Sequence, residues 1–436
     1  MKKNAREEYL FKKKCLLVLL FLYYLNDVDY DSITLRSFGF HFDPTCDFKA
    51  IVTSKKEHIH KYTIHIYLNK RDVDLEKMDV MGNVNFIKIN DASKEDFYVP
   101  KESLNIYFDG VQFVSYGYIE GKYFKRTYFK NKEAVTDELL YHLSNDIKGD
   151  SFNKSAPSFV VWLIKLYTCK IKTDLVIGAG INAEYGAKTW SGVMDALNND
   201  FYKGDYKFSN EIQNYVGKEF FTSSMVLKTS GFDPYKSINR ELYLCNVKKD
   251  FNDKTSTLYQ CMQYTIKHKG TDVITYNYDT NLEYLFKKSG ILYTTIYDDT
   301  SFVNKDSVAN IYHVHGLLPY NKYEQKRFTD SLIFNESEYY YLYNNPYSWN
   351  ISKQLHDFKF NTCIFIGISL TDPDMKRLLE LANNYLKFNF IFLKKEKGYS
   401  ENVYKDITSY FFTFDLIVIW IDEYEDIGKY LEIIWL

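Results

Sequence analysis

From about residue 157 to the end of the chain, short apolar runs alternate with helical patterns. A helix at 157–169 precedes Asp174-Leu175-Val176-Ile177, and later runs are Val273-Ile274-Thr275, Ile311-Tyr312-His313-Val314 and Cys363-Ile364-Phe365-Ile366. Phe388-Asn389-Phe390-Ile391-Phe392 and Leu416-Ile417-Val418-Ile419-Trp420 complete the series. These runs are brief and rich in β-branched and aromatic residues, as strands buried on both faces are. The pattern predicts an α/β domain with a doubly wound, mostly parallel, Rossmann-like sheet, whose ligands bind beyond the carboxyl ends of the strands. Residues 200–260 read as an inserted helical layer.

Before that, from roughly 47 to 130, the period is two. Tyr62–Leu68, Val84–Ile89 and Val111–Tyr116 read as strands, with Asp109-Gly110 as a two-residue hairpin signal between strands. The expectation is an antiparallel β-rich α+β module closed by a helix near 131–146. Gly149-Asp150-Ser151 is the most loop-like stretch that follows. The chain thus divides into residues 1–150, a regulatory or oligomerisation module, and 151–436, the domain carrying the chemistry. Near the start, the apolar run Cys15–Leu25 follows three lysines. It is too short for a bilayer, which needs about 20 residues, and no small-residue cleavage site follows it. A buried or interface helix is expected there, with neither export nor membrane insertion.

Composition narrows the function classes. With 46% hydrophobic and 26% charged residues over 436 positions, the chain is neither disordered nor fibrous. Lys and Arg number 55 against 57 Asp and Glu, a net charge of −2, so no broad basic field awaits nucleic acid. The six cysteines include no C-x-x-C pair, which argues against a zinc ribbon or a disulfide framework and fits a reducing cytoplasm.

Four predicted strand ends carry the polar chemistry. Gly178-Ala179-Gly180 follows the first strand, but Gly186 stands too far on for the G-x-G-x-x-G spacing. The turn is either a cradle for a pyrophosphate or a plain βα turn that needs small residues. Asn277 and Asp279, two apart after the next strand, can hold a sugar hydroxyl and a carboxamide; alternatively Asp279 caps the helix opened by Asn281 and Glu283. His313 and His315 would share a face, which raises a two-His metal site, but no Cys or acidic partner is suitably spaced and no metal is expected. His315, followed by Gly316, suits a general base as well as it suits a structural histidine. Gly367-Ile368-Ser369 ends a fourth strand, and Asp372-Pro373 reads as the N-cap and first residue of a helix.

Taken in order, Gly178-Ala179-Gly180-Ile181-Asn182, Thr275-Tyr276-Asn277-Tyr278-Asp279, His315-Gly316 and Gly367-Ile368-Ser369 resemble the sirtuin family. Closest in pattern are the bacterial sirtuin-like NADases of antiphage defence, of the Thoeris type and related systems. Phe334–Tyr339, Asn345–Trp349 and the continuation to Pro373 add to the likeness, which covers roughly 157–436. Asn182 stands where the family usually has Ser, the Pro expected after Gly186 is missing, and Trp190 resembles the branch's aromatic.

The resemblance implies that Gly178, Ala179 and Gly180 cradle the pyrophosphate of NAD, that Asn277 holds the nicotinamide ribose or the attacking water, and that His315 is the general base. It places Asp279 on the nicotinamide side, Gly367 and Ser369 at the adenosine ribose and phosphate, and Asn182 and Trp190 in the NAD site. It thereby implies an NAD⁺ hydrolase acting as an NAD-depleting effector, with NAD as substrate and no metal. A homo-oligomer, a defence-system partner protein or a phage trigger would govern it. A non-catalytic NAD or ADP-ribose sensor is the alternative. A protein deacylase fits less well, since no cysteine stands between His315 and Cys363 to build that branch's four-Cys zinc module.

Overall fold

In the computed structural model, the described residues are the strands between 33 and 128, residue 164, and then 172–185, 190–203, 233–243, 254–320, 332–345, 347–370, 372–382 and 389–435, with a few isolated positions. The chain divides into two compact units, 1–162 with 400–409, and 163–399 with 410–436. The expected helices at 15–25, 131–146 and 157–169, apart from Ile164, lie outside the described residues.

The first unit holds β1 (Ile33–Thr34), β2 (Phe48–Thr53), β3 (His60–Tyr67), β4 (Phe86–Asn90), β5 (Asp96–Pro100), β6 (Ser103–Phe108), β7 (Phe113–Ile119) and β8 (Lys122–Tyr128). Six of them form a sheet in the order β1-β2-β3-β6-β7-β8, and β4 with β5 makes a separate antiparallel ribbon. Two expectations are corrected here. The sheet is not wholly antiparallel, because β3 and β6 run parallel; the ribbon lies between them in sequence and supplies the crossover connection that a parallel pair requires. Nor does a two-residue turn join β6 to β7: Phe108 pairs with Phe113, which leaves four residues between the paired ends.

The second unit is built on seven parallel strands. They are β9 (Thr173–Ile177), β10 (Asp272–Thr275), β11 (Tyr293–Ile296), β12 (Ala309–His313), β13 (Thr362–Ile366), β14 (Asn389–Lys394) and β15 (Leu416–Ile421). Their order is β11-β12-β10-β9-β13-β14-β15, with every neighbouring pair parallel. All residues of β9, β13 and β15 are buried, which is why their sequences are unbroken apolar runs apart from Thr173, Asp174 and Thr362. Edge strand β11 alternates half-buried and buried positions. Its Tyr293-Thr294-Thr295-Ile296 is too polar to stand out by periodicity, and it is the one strand of this sheet missing from the sequence prediction.

The described helices follow in chain order. They are α1 (Trp190–Tyr202), α2 (Tyr235–Tyr243), α3 (Thr257–Lys267), α4 (Asn281–Lys288), α5 (Glu336–Asn344), α6 (Trp349–Phe360), α7 (Pro373–Leu381), α8 (Glu401–Phe412) and α9 (Glu425–Trp435). Most of α8 belongs to the first unit, and the others accompany the sheet. Helix α5 opens on a reciprocal capping box: Asn335 Oδ1 accepts the Glu338 N–H, and Glu338 Oε2 accepts the Asn335 N–H. As expected, Asp372 caps α7 with Pro373 as its first residue, accepting the Asp374 N–H at 2.8 Å. Among the described residues, no helix is long and apolar enough to cross a membrane.

Near the amino ends of β9 and β10, three carboxylates meet two ammonium groups. Lys353 Nζ lies 2.6 Å from Asp272 Oδ2 and 2.7 Å from Asp357 Oδ2, and it rests 4.3 Å from the centre of the Tyr312 ring. Lys172 Nζ is 2.7 Å from the same Asp272 oxygen. Asp174 accepts from the Asp272 N–H at 2.8 Å and from Asn361 Nδ2 at 2.6 Å. Asp174, Asp272 and Asp357 are close enough together to share a cation; the Lys353 ammonium bridges Asp272 and Asp357, and Lys172 lies 3.5 Å from Asp174. Burial and the neighbouring Asp357 raise the Asp174 pKa to about 6. Burial opposes the Lys353 charge, yet Asp357 and Asp272 outweigh it, so this lysine stays protonated.

Candidate functional site

The strand order puts the carboxyl ends of β12, β10, β9 and β13 side by side, and all four predicted motifs stand there. The chain runs from β9 to β10 on one side and returns to β13 on the other, so the switch point falls between β9 and β13.

At that point two turns interlock. The Gly178 N–H donates to Ile366 O at 3.0 Å, and the Gly180 N–H donates to Gly367 O at 2.9 Å. Gly367 has φ +67°, and a Cβ on it would stand 2.3 Å from Ile181 N. A Cβ on Gly178 would come 2.7 Å from Gly367 O, and one on Gly180 would come 2.8 Å from Gly367 Cα. The three glycines are therefore needed for two backbones to cross in contact. The Gly178, Gly180 and Ile181 N–H groups are bonded within the protein and so are not open to a phosphate. After the crossing, Leu370 also adopts a positive φ, 52°, while its side chain is buried. A non-glycine residue held there marks a strained loop. Ser369 between them is exposed.

Strand β10 ends in Tyr276-Asn277-Tyr278-Asp279, all buried. The Asn277 Nδ2 donates to Gly178 O at 3.1 Å, which fixes the carboxamide against the β9 turn. Its Oδ1 is buried and has no hydrogen-bond partner. Asp279 Oδ2 accepts from Asn182 Nδ2 at 2.9 Å, and Asp279 Oδ1 accepts the Asn281 N–H at 3.1 Å. Asp279 thus receives an N–H from the first residue of α4, although Thr280 is the N-cap of that helix, and its other oxygen is bonded to Asn182 of the β9 turn. Asn182 Oδ1 and both side-chain polar atoms of Asn281 are likewise buried without partners. Burial raises the Asp279 pKa to about 6 against the pull of its hydrogen bonds. Tyr278 turns the other way, into a core of Val193, Leu197, Ile238, Leu318 and Phe334, and its hydroxyl donates to Ile333 O.

The two histidines part company. Strand β12 ends at His313, so the alternation that would place His315 on the same face no longer applies. His313 Nδ1 donates to Asn277 O at 3.0 Å, while Nε2 lies 2.6 Å from Glu283 Oε1. Burial disfavours the imidazolium, but Glu283 and the Asn277 carbonyl outweigh it and raise its pKa. His313 is therefore a positioning group behind Asn277. His315 packs edge-on to the Tyr276 ring, with centroids 5.0 Å apart, and to the Tyr339 ring at 6.2 Å. Burial lowers its pKa despite Asp372 and Asp374 nearby, so it stands neutral near pH 7 and able to take a proton.

Residues 271–408 match the family model described as a SIR2-like domain. This match supports a sirtuin-like family. The seven-stranded parallel sheet with its flanking helices agrees with the Rossmann-like, sirtuin-like architecture. No curated protein matches the chain. The SIR2-like segment contains Asn277, Asp279, His315, Gly367 and Ser369 but begins after the β9 turn; the sheet brings Gly178, Ala179, Gly180 and Asn182 to it. Trp190 opens α1, and its side chain lies outside the described residues. A SIR2-like domain points to an NAD-related function in the broad sense, and such domains are often NAD-utilising enzymes.

Sequence reading did not assign site roles to Tyr276, Tyr339, Glu283 or Asn281, and it gave Asp372 only a cap. Tyr276 and Asn281 stand inside or beside the T-x-N-Y-D run, a signal that was present. Tyr339 and Asp372 meet only through folding.

Proposed function

We propose that this chain hydrolyses NAD⁺ to nicotinamide and ADP-ribose. One observation carries the reading: the Asn277 carboxamide is anchored on one side to Gly178 O, and its buried oxygen is left without a hydrogen-bond partner. A buried acceptor without a partner costs about 1–3 kcal/mol. It is accounted for if a substrate hydroxyl or a water donates to it.

Nicotinamide on a ribose is already a good leaving group, so its departure through an oxocarbenium-like centre needs positioning and electrostatics rather than a nucleophile. Asn277 orients the ribose or the attacking water, and His315 accepts the proton that the water releases on attack. Asp279, flanked by Asn182, takes the nicotinamide side. Gly178, Ala179 and Gly180 shape the floor beneath the pyrophosphate, Gly367 and Ser369 border the adenosine ribose, and Trp190 belongs to the same site. No metal is required by this chemistry.

The wider role rests on the sequence resemblance: a cytoplasmic effector of antiphage defence that depletes NAD⁺ when a phage trigger or partner protein releases it. Residues 1–150 are assigned to regulation or homo-oligomer contacts. The test is nicotinamide release from NAD⁺ by the full chain beside Asn277→Ala and His315→Ala, repeated in phage-infected cells. Release by the wild type and loss of at least about a hundredfold in both variants supports the reading. Undiminished release in the variants, or steady NAD⁺ in infected cells, overturns it.

A further inference from the structure

We infer that Asp372 is a positioning residue for His315, setting the tautomer of the imidazole and holding the charge it gains on taking a proton. The inference rests on the hydrolase reading for its catalytic consequence and on geometry alone for the pairing.

His315 Nε2 lies 3.9 Å from Asp372 Oδ2. The carboxylate is held in place from its other oxygen: Asp372 Oδ1 accepts the Tyr339 hydroxyl and the Asp374 N–H. Tyr339 in turn packs edge-on against the His315 ring, so one side chain braces both members of the pair. The Tyr276 ring also packs edge-on against the imidazole, and its own hydroxyl donates to Gln354 Oε1. Leu370, in its left-handed conformation two residues earlier, turns the loop just before Asp372. Oδ2 is thus the oxygen of Asp372 that faces the histidine.

At 3.9 Å the pair is not yet hydrogen-bonded; a carboxylate only accepts, so tightening of this contact favours the tautomer with its proton on Nε2. The lone pair then sits on Nδ1, the position from which His315 can take a proton. The imidazolium formed in that step lies beside a fixed negative charge, and the contact is of a length that can tighten once substrate is bound. The ionisable groups facing His315 are Asp372 and Asp374 at the start of α7, Tyr276 at the end of β10 and Tyr339 on α5. Asp374 is itself paired, 2.8 Å from the Arg377 guanidinium.

Asp372→Asn separates this role from the cap, because Asn caps a helix as well as Asp does. The measurement is NMR of the histidine ring in the full chain, with His315 assigned by its loss in His315→Gln. The expected result is an Nε2–H tautomer in the wild type and a His315 pKa about one unit lower in Asp372→Asn, with His313 unmoved. Tyr339→Phe should give a smaller shift of the same sign. Unchanged tautomer and pKa in a folded Asp372→Asn overturn the inference, whatever the wild type does to NAD⁺. If nicotinamide is released, Asp372→Asn should lower kcat by about tenfold or more with little change in KM. The acid limb of kcat/KM should move to lower pH; an unmoved limb means that Asp372 is only a cap.

Discussion

The two ends of the parallel sheet handle buried polar groups in opposite ways. At the amino ends, Asp174, Asp272 and Asp357 meet Lys172, Lys353 and Asn361, so each carboxylate faces a cation or an amide within the protein. At the carboxyl ends, Asn182, Asn277 and Asn281 retain buried amide atoms that meet nothing. Both regions are rich in polar side chains, and a tally of residue types would rank the three carboxylates as the more obvious site. What separates them is charge pairing: the amino-end carboxylates face ammonium groups, although Asn310 Oδ1 and Thr362 Oγ1 at that end also lack hydrogen-bond partners. Charges that pair with one another hold the fold together, and on the proposed reading the carboxyl-end amides take their partners from a ligand.

The largest test of this contrast is Lys353→Met. It removes the ammonium from between two carboxylates and should cost about 3 kcal/mol or more in denaturant unfolding. Asn277→Ala, at the other end, removes a carboxamide that makes one internal side-chain bond, and should change stability by no more than about 1 kcal/mol. If the two costs were alike, the division between structural and ligand-binding polar groups would fail. Next comes Gly367→Ala, which combines a positive φ with a Cβ forced to 2.3 Å from Ile181 N. It should destabilise by about 2 kcal/mol or more, measured in the same way.

A smaller effect appears in pH. Asp279 and Asp174 both have pKa values raised to about 6, chiefly by burial. A carboxyl that binds its proton more tightly when folded favours the folded state at low pH. Stability should therefore fall as pH rises from about 4 to 6. Asp279→Asn should flatten part of that slope and Asp174→Asn another part, each read from unfolding midpoints across the range. A slope untouched by Asp279→Asn would mean that its carboxyl is not desolvated as the structure has it.

Much of the sheet was legible because strands buried on both faces leave continuous apolar runs: β9, β10, β12, β13, β14 and β15 all stand where those runs do. Strand β11 escaped because an edge strand with two threonines carries no such run. The candidate site was legible as four strand-end motifs, because a parallel sheet delivers every strand's carboxyl end to the same side. What was not legible was which atoms they would meet. The spacing of His313 and His315 suggested a common face, but the strand stops at His313 and the two rings turn to different partners. Nor does any local pattern reveal that Gly178 and Gly180 must be small because Gly367, nearly two hundred residues on, crosses against them. In the first unit, the parallel pairing of β3 with β6 was hidden in the same way, since period-two alternation is identical for parallel and antiparallel neighbours.

The most direct test of the central claim is thermal unfolding with a non-hydrolysable carbocyclic NAD⁺ analogue, in the wild type and in Asn277→Ala. A ligand that binds only the folded chain adds about 2.7 kcal/mol at a hundredfold excess over its Kd. The account predicts a clear rise in the wild-type midpoint and little or none in Asn277→Ala, whose midpoint without ligand stays close to that of the wild type. Equal rises in both proteins, or no rise in the wild type, would contradict it.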